Sequence, residues 1–270
     1  MIIPFICVNY NTYQETIKYI DSVLSLDYHE NVLVIVVDNS PNEGDFKKLN
    51  KYIEDRNITN KQVILLTKSN RGYFQGLNEG IEYFCNNFDF KNSYFVVGNN
   101  DIVFKNDFAA QLLEYQLEER TLVLAPDIIT NDGSHENPHV LKRMSKIEKL
   151  IFDIYFSNYY ISKFMLKMKG SNGRPFKRYD PHKKKVYMGI GALYILTPNF
   201  FKYFRKLTEE VFLYGEEAVF AGQIASVNGE IYYEPVLVCY HNESSTTSNI
   251  GSKSKYKIIQ NSYKIYRKYL

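Results

Sequence analysis

The chain has 270 residues, 45% of them hydrophobic, and a formal net charge of +3 at pH 7. That length suits one large α/β domain, or a domain with an appendage, with enough apolar sequence for a sizeable core. So small a net charge argues against a general nucleic-acid binder, and no apolar run reaches the length of a membrane-spanning helix.

In chain order, Ile2 to Val8 reads as a continuous apolar strand of the kind buried on both faces. Asn9-Tyr10-Asn11-Thr12 follows as a turn and helix cap, and Tyr13, Ile17, Ile20 and Leu24 have helical spacing. Val32 to Val37 is a second buried strand, ending in Asp38-Asn39-Ser40-Pro41, and a polar helix covers Asp45 to Arg56. Val63 to Leu66 is a third strand; Asn70-Arg71-Gly72 is a turn, and Leu77, Ile81, Phe84 and Phe88 mark another helix. Tyr94 to Val97 is a fourth strand and runs into Asn99-Asn100-Asp101. Strands and helices alternating at short intervals predict right-handed βαβ units and a mostly parallel sheet, in which ligands bind outside the carboxyl ends of the strands. Asn9, Asp38, Asn70 and Asp101 all fall at such ends. No Gly-x-Gly-x-x-Gly follows the first strand and no Walker sequence occurs, which disfavours dinucleotide and P-loop sites.

The second half is less regular. Leu122 to Pro126 reads as a strand, and Ile147, Leu150, Ile151, Ile154 and Ile161 fit one or two amphipathic helices within Met144–Met168. Gly170 to Lys185 reads as a basic loop. Tyr187 to Ala192, with Gly189 and Gly191, leads into a strand through Leu196, and a helix is expected after Pro198. Phe212 to Glu217 precedes a further helix, and Ile231 to Tyr240 is a bent strand or strand pair ending at His241. The scattered Cys7, Cys85 and Cys239 have no metal-ligand spacing, and their odd count fits a reducing cytoplasm better than a disulfide framework. No basic n-region or cleavage site opens the chain, so no secretory leader is read. After Glu243 the only charges are Lys253, Lys255, Lys257, Lys264, Arg267 and Lys268. Such a tail fits either a peripheral contact with an anionic membrane or a solvated terminal helix.

A strand ending in Asn-x-Asp is a good place to hold a divalent cation against a diphosphate, because such a cation takes one or two carboxylates and lets substrate phosphates complete its shell. Six features, in order, resemble glycosyltransferase family 2 with the GT-A fold. They are Val8-Asn9-Tyr10-Asn11, Val36-Val37-Asp38-Asn39-Ser40, Asn70-Arg71-Gly72-Tyr73, Asn99-Asn100-Asp101, Glu216-Glu217, and His241 followed by Ser244, Ser245 and Thr246. The Asn at the head of the fourth is similar to the rhamnosyltransferase-like branch. The resemblance covers Ile2 to about Thr247. It implies an α/β, Rossmann-like GT-A domain over 1–250, with a nucleotide-binding half (1–104), an acceptor and catalytic half (105–250), a variable helical acceptor-side insertion at about 140–185, and a basic helix or tail over 251–270.

The resemblance also implies roles. Val8 and Asn9 would line the base pocket through backbone groups, Asp38 would accept hydrogen bonds from base or ribose, and Asn70 and Arg71 would lie near the nucleotide. Asp101 and His241 would hold a divalent metal (Mn or Mg), Asn99 would contact ribose or the metal through water, and Asn100 would be a linker. A His ligand suits Mn²⁺ better than Mg²⁺. Glu217 would be the catalytic base, with Glu216 as the alternative, and Gly189 and Gly191 would let backbone approach donor or acceptor. The second acid is Glu where the family pattern has Asp, and an Arg common a few residues later is replaced by Gly222-Gln223. The implied partners are a UDP- or dTDP-sugar donor and a glycan or lipid-linked acceptor of bacterial surface-polysaccharide synthesis, with no nucleic acid. The rival classes are a sugar-phosphate nucleotidyltransferase, which usually opens with a Gly-rich strand-loop absent from Ile2–Thr12, and a non-catalytic sugar- or nucleotide-binding module.

Overall fold

Alternation along the first two strands decides how the sheet is covered. β1 (Ile3–Asn9) sends Ile3, Phe5 and Cys7 into one core and Ile6 into another; β2 (Val32–Asp38) divides Val32, Val34 and Val36 from Leu33 and Ile35 in the same way. The computed structural model describes residues 1–169, 175–242 and 252–270. Helices α1 (Tyr13–Leu24) and α2 (Gly44–Asp55) cover the first face with Tyr19, Ile20, Val23, Leu49 and Ile53. β3 (Val63–Thr67) extends the sheet, and α3 (Tyr73–Asn87) covers the second face with Phe74, Leu77, Ile81 and Phe84. β4 (Phe95–Asn99) pairs with β1, and the quartet β3-β2-β1-β4 is parallel. In register, Asn9 faces Asp38, Val8 faces Asn99 and Asp38 faces Thr67, so the polar strand ends form one edge.

The second half makes the sheet mixed. It contributes β5 (Ile102–Phe104), α4 (Phe108–Leu113), β6 (Thr121–Thr130), α5 (Lys146–Ser157), α6 (Tyr159–Lys169), β7 (Lys184–Val186), β8 (Leu193–Leu196), α7 (Glu216–Ala225), β9 (Glu230–His241) and α8 (Ser252–Tyr266). Among the described residues the strand order is β3-β2-β1-β4-β8-β6-β9-β5, with β7 also on β9. β8 runs antiparallel to β4 and β6, β6 and β9 are parallel, and β5 and β7 are antiparallel to β9.

That order forces the sheet to curl. Four interstrand spacings of about 4.8 Å separate β4 from β5 along the sheet, roughly 19 Å in all. The chain links Asn99 to Ile102 with a reach of only about 11 Å. The sheet therefore bends until the end of β4 and the start of β5 meet, and Asn100 and Asp101 turn between them.

Several elements differ from the sequence expectation. The strand at Leu122–Pro126 extends over Thr121–Thr130; its extra residues, including buried Asp127 and Thr130, pair with the second stretch of β9. The helix expected after Pro198 is a single 3-10 turn, Phe200–Lys202. There the Asn78 side chain takes both the N–H and the carbonyl of Leu207, at 2.8 and 2.9 Å, and ties the chain off against α3. The end of the expected Gly170–Lys185 loop enters β7, and residues 170–174 lie outside the described residues, as do Ser244, Ser245 and Thr246. The terminal basic segment forms α8, whose Tyr263 and Tyr266 are buried with Phe156, Met188, Val211 and Val219 in a third core.

Asn100 is more than a linker. It is buried, and its amide donates to Thr12 Oγ1 at 2.8 Å and Thr16 Oγ1 at 2.7 Å. Thr16 in turn donates to Asn9 Oδ1 at 2.8 Å, and the Asn9 amide donates to Asp38 Oδ1 at 2.8 Å and Asp45 Oδ2 at 3.2 Å. One polar chain thus ties the ends of β1, β2 and β4 to the starts of α1 and α2. A buried acceptor deprived of its donor costs more than the hydrogen bond itself gained, and more again when it is charged. Asn9→Ala is expected to lower unfolding stability by about 3 kcal/mol, measured by urea denaturation; a loss below about 0.5 kcal/mol, the level of a plain surface change, would show that the knot is not structural.

Candidate active site

The first strand ends supply a polar floor. Asp38 is buried, and its Oδ1 accepts from Asn9, from the Ser40 backbone N–H at 3.1 Å and from Ser40 Oγ at 2.6 Å. This is the Asx-type turn that Asp-Asn-Ser-Pro favours. Val8 is partly buried, whereas the Asn9 side chain is consumed by the knot. Asn70 Oδ1 accepts from the Gly72 N–H at 3.1 Å and shapes the entry to α3. The Arg71 side chain is 72% exposed and lies 3.6 Å from Glu79, so its charge is turned onto α3.

The curl brings the second group together. Ile102 pairs with His241 across β5 and β9, which sets Asp101 beside the imidazole. Asp101 Oδ1 is 3.3 Å from His241 Nε2, and the Asn99 side-chain amide is 3.4 Å from the same nitrogen. The other ring nitrogen, Nδ1, is 2.8 Å from Glu136 Oε2. Burial alone would push the His241 pKa down, but the hydrogen bonds to Asp101 and Glu136 outweigh it and hold the ring up at about 10. A cationic imidazole therefore stands between two buried carboxylates. Glu136 is 105 residues from His241 and was not singled out in the sequence. Its neighbour Asn137 is also at work here: its Oδ1 accepts from the Ile190 N–H at 3.1 Å and holds the loop that carries Gly189 and Gly191.

The third group is the acid pair. Gly215, at φ 90°, caps α7, and Glu216 and Glu217 are its first two residues, at the positive end of the helix dipole. Glu216 is only 6% exposed, and its Oε1 has no hydrogen-bond partner among the described residues. Burial, then the charge of Glu217, raises its pKa to about 7. Glu217 is less buried, and its Oε1 accepts the Gly191 N–H at 3.2 Å. A Cβ at position 191 would stand 2.7 Å from that oxygen, so glycine is required for the carboxylate to approach. Gly189 is needed for a different reason: a Cβ there would press on Ala125 and Tyr194, at 2.9 and 3.0 Å.

Residues 191 and 192 join the two groups. While Gly191 donates to Glu217, the Ala192 carbonyl accepts the Asn99 N–H at 2.8 Å, and the Gly191 carbonyl accepts the Tyr73 hydroxyl at 3.2 Å. Burial first, then Glu216, Asp101 and Glu217, raises the Tyr73 pKa, so this one hydroxyl feels all three carboxylates. The result is an acidic edge with the Asp101–His241–Glu136 cluster on one side and a partly protonated acid pair on the other. Among the described residues no three His, Cys, Asp or Glu side chains are arranged to hold a metal ion.

Residues 5–212 match the family described as Glycosyl transferase family 2. The chain belongs to that family. The matched span holds Asp38, Asn99, Asp101, Gly189 and Gly191 and stops short of Glu216, Glu217 and His241. No curated protein gives a significant sequence match. Solved structures of this shape recur. The chain is similar to GalNAc-T7 crystallised with UDP, GalNAc and Mn²⁺, with a TM-score of 0.64, 14% identity, and coverage of 98% of this chain and 48% of that one. It is similar to S. aureus TarS 1-349 in complex with UDP-GlcNAc, with a TM-score of 0.60, 13% identity, and coverage of 98% and 66%. It is also similar to the mannosyltransferase PcManGT from Pyrobaculum calidifontis in complex with GDP-Man and Mn²⁺, with a TM-score of 0.56, 13% identity, and coverage of 91% and 58%. The chain thus spans about half to two thirds of those proteins, and the fold it shares with them is the GT-A glycosyltransferase fold.

The buried acid gives this glycosyltransferase fold a pH signature. Because the folded pKa of Glu216 is raised, its contribution to stability is fully present below the ordinary value of 4.5 and is lost as pH rises through about 7. Between about pH 5 and pH 8 the wild type is expected to lose on the order of 2–3 kcal/mol relative to Glu216→Gln. Parallel stability profiles for the two proteins, by denaturant titration at each pH, would contradict a buried, proton-holding Glu216.

Proposed function

We propose that this protein transfers a sugar from a nucleoside-diphosphate donor, UDP- or dTDP-linked, to a hydroxyl of a glycan or lipid-linked oligosaccharide, with inversion at the anomeric carbon. The observation that carries the proposal is the Gly191-Ala192 junction, where one dipeptide is hydrogen-bonded to both the Glu217 carboxylate and the Asn99 backbone. The Glu217 carboxylate and the strand end that carries Asn99 meet there, and displacement of a diphosphate by a hydroxyl needs a proton acceptor beside the departing diphosphate. The nucleotides bound by similar proteins, GDP-Man, UDP and UDP-GlcNAc, support a nucleotide-sugar donor.

Each group then has a role. The 1–104 half, with Val8, Asp38 and Asn70, holds the nucleotide, and the 105–250 half supplies acceptor and catalytic groups. Glu217 takes the proton of the acceptor hydroxyl as its oxygen attacks the anomeric carbon and the bond to the diphosphate breaks on the opposite face. Glu216, buried beside it, keeps a proton near neutral pH, so Glu217 can carry negative charge without a second full charge next to it. The helix dipole of α7 favours that ionised state.

A divalent cation fits the donor set of Asp101 and His241. The imidazole offers Nε2 towards Asp101 because Nδ1 is engaged by Glu136, and a carboxylate-oriented His is the usual form of a His ligand. A carboxylate and an imidazole suit Mn²⁺ better than Mg²⁺. When bound there, the cation would offset charge on the departing diphosphate. Glu136 is a positioning residue in this scheme, since it acts through His241. The product fits bacterial cell-surface polysaccharide assembly on the cytoplasmic side of a membrane.

The proposal is tested by melting the protein with a panel of UDP-, dTDP- and GDP-sugars, with and without Mn²⁺. One donor is expected to raise the melting temperature with metal present; no shift and no hydrolysis across the panel would sink the reading. With that donor, Glu217→Gln is expected to lower kcat by about 10²–10⁴-fold while leaving donor affinity unchanged; unchanged transfer would remove Glu217 as the base. Glu136→Gln is expected to weaken Mn²⁺ binding by about 10–100-fold, read by titration calorimetry without substrate, and unaltered affinity would remove Glu136 from the site.

A further inference from the structure

Helix α5 has two apolar stripes, and only one of them is used. Phe152, Tyr155 and Phe156 pack into the third core beside α8. Ile147, Leu150, Ile151 and Ile154 recur at i, i+3, i+4 and i+7 on one outward stripe, and each is at least 47% exposed, Ile147 reaching 73%. The next helix, α6, packs on α5 and continues the pattern: Tyr160, Phe164 and Met168 are 70%, 63% and 73% exposed. So many large apolar side chains on adjacent elements is more than the single scattered hydrophobic residues normal on a surface, and such patches mark interaction sites.

The charges around the patch say what covers it. Lys163 and Lys167 stand exposed among the apolar residues of α6, which carries no acidic residue. The two acids of α5 are both engaged in holding the fold. Glu148 closes a capping box with Ser145, and Asp153 bonds the Tyr263 hydroxyl at 2.6 Å and pairs with Arg267. An apolar face with aromatic residues and unopposed lysines complements an anionic lipid surface. No helix among the described residues is long and apolar enough to cross a membrane, so the contact is one of lying on it. The basic C-terminal helix is a poorer candidate for that contact. Its Tyr263 and Tyr266 are spent on the third core, with Lys257 and Lys264 left outside.

We infer that the α5–α6 hairpin docks this protein on the surface of an anionic phospholipid bilayer, with its aliphatic and aromatic side chains in the acyl–headgroup boundary and Lys163 and Lys167 at the phosphates. Vesicle binding requires no sugar donor, so this inference stands or falls apart from the transfer reaction. The test is flotation of the full chain with phosphatidylglycerol–phosphatidylcholine vesicles against phosphatidylcholine alone. The wild type is expected to float with the anionic vesicles only. Ile151→Glu with Phe164→Glu is expected to stay in the soluble fraction with an unchanged melting temperature, since both side chains are already exposed. Lys163→Gln with Lys167→Gln is expected to bind on the order of 30-fold more weakly, and Lys257→Gln with Lys264→Gln on α8 to lose far less. Absence of wild-type flotation, full binding by the glutamate variant, or an equal loss from the α8 variant would overturn the inference. So would light scattering that shows a wild-type dimer made monomeric by the glutamate variant, which would make a second copy the occupant.

Discussion

The site depends on one short connection. Asn99 ends β4 in the parallel half of the sheet, and Ile102 begins β5 at the far edge of the other half. A link this short between strands four places apart cannot be made on an open sheet. The curl that closes it sets Asp101 against His241 and brings the ends of β1, β2, β4 and β9 to one edge. Asn100, in the middle of the link, is then buried, and its amide must find acceptors. It finds them in Thr12 and Thr16, so the turn is fastened to α1 as well as to the sheet.

Buried charge at this edge is arranged in two different ways. On the β9 side, one imidazolium is shared by Asp101 and Glu136, and the pairing outweighs the cost of desolvating the ring. On the α7 side, two carboxyls are adjacent and no cation is engaged with Glu216 among the described residues; burial is compensated there by keeping a proton. In the scheme proposed above, a metal cation would replace the proton on the ring nitrogen that faces Asp101. In the second arrangement, the retained proton spares the pair two adjacent negative charges at a buried site. The two sit a dipeptide apart, at Gly191 and Ala192.

The two basic, apolar segments of the second half carry similar sequence patterns and meet opposite fates. The C-terminal segment turns its tyrosines inward and becomes part of a core, whereas α5–α6 turns a full stripe of Ile, Leu, Phe and Met to solvent. Periodicity locates an apolar face but not what lies against it. Only the packing of α8 on α5 and α7 separates the helix that stabilises the fold from the surface left exposed.

By itself the sequence determined the parallel quartet and the polar residues at its strand ends, because each is written in short-range signals: continuous apolar runs, helical apolar spacing, and turn chemistry at Asp38-Asn39-Ser40-Pro41 and Asn70-Arg71-Gly72. Tertiary structure alone decided that Asn9 and Asn100 hold the frame, that Arg71 is turned onto Glu79, that the turn after Pro198 stops at one 3-10 turn, and that Glu136 orients His241. It also decided that Gly191 serves Glu217 while Gly189 serves the packing of Ala125 and Tyr194. The reason is separation along the chain. Glu136 and His241 are 105 residues apart, and Gly191 and Glu217 are 26 apart, so no local pattern records their meeting. Glu136 folds back on β6, which lies beside β9, and Glu217 reaches Gly191 from α7, while Asp101 meets His241 through the curl of the sheet; the short link from β4 to β5 that compels that curl acquires its meaning only once the strand order is known.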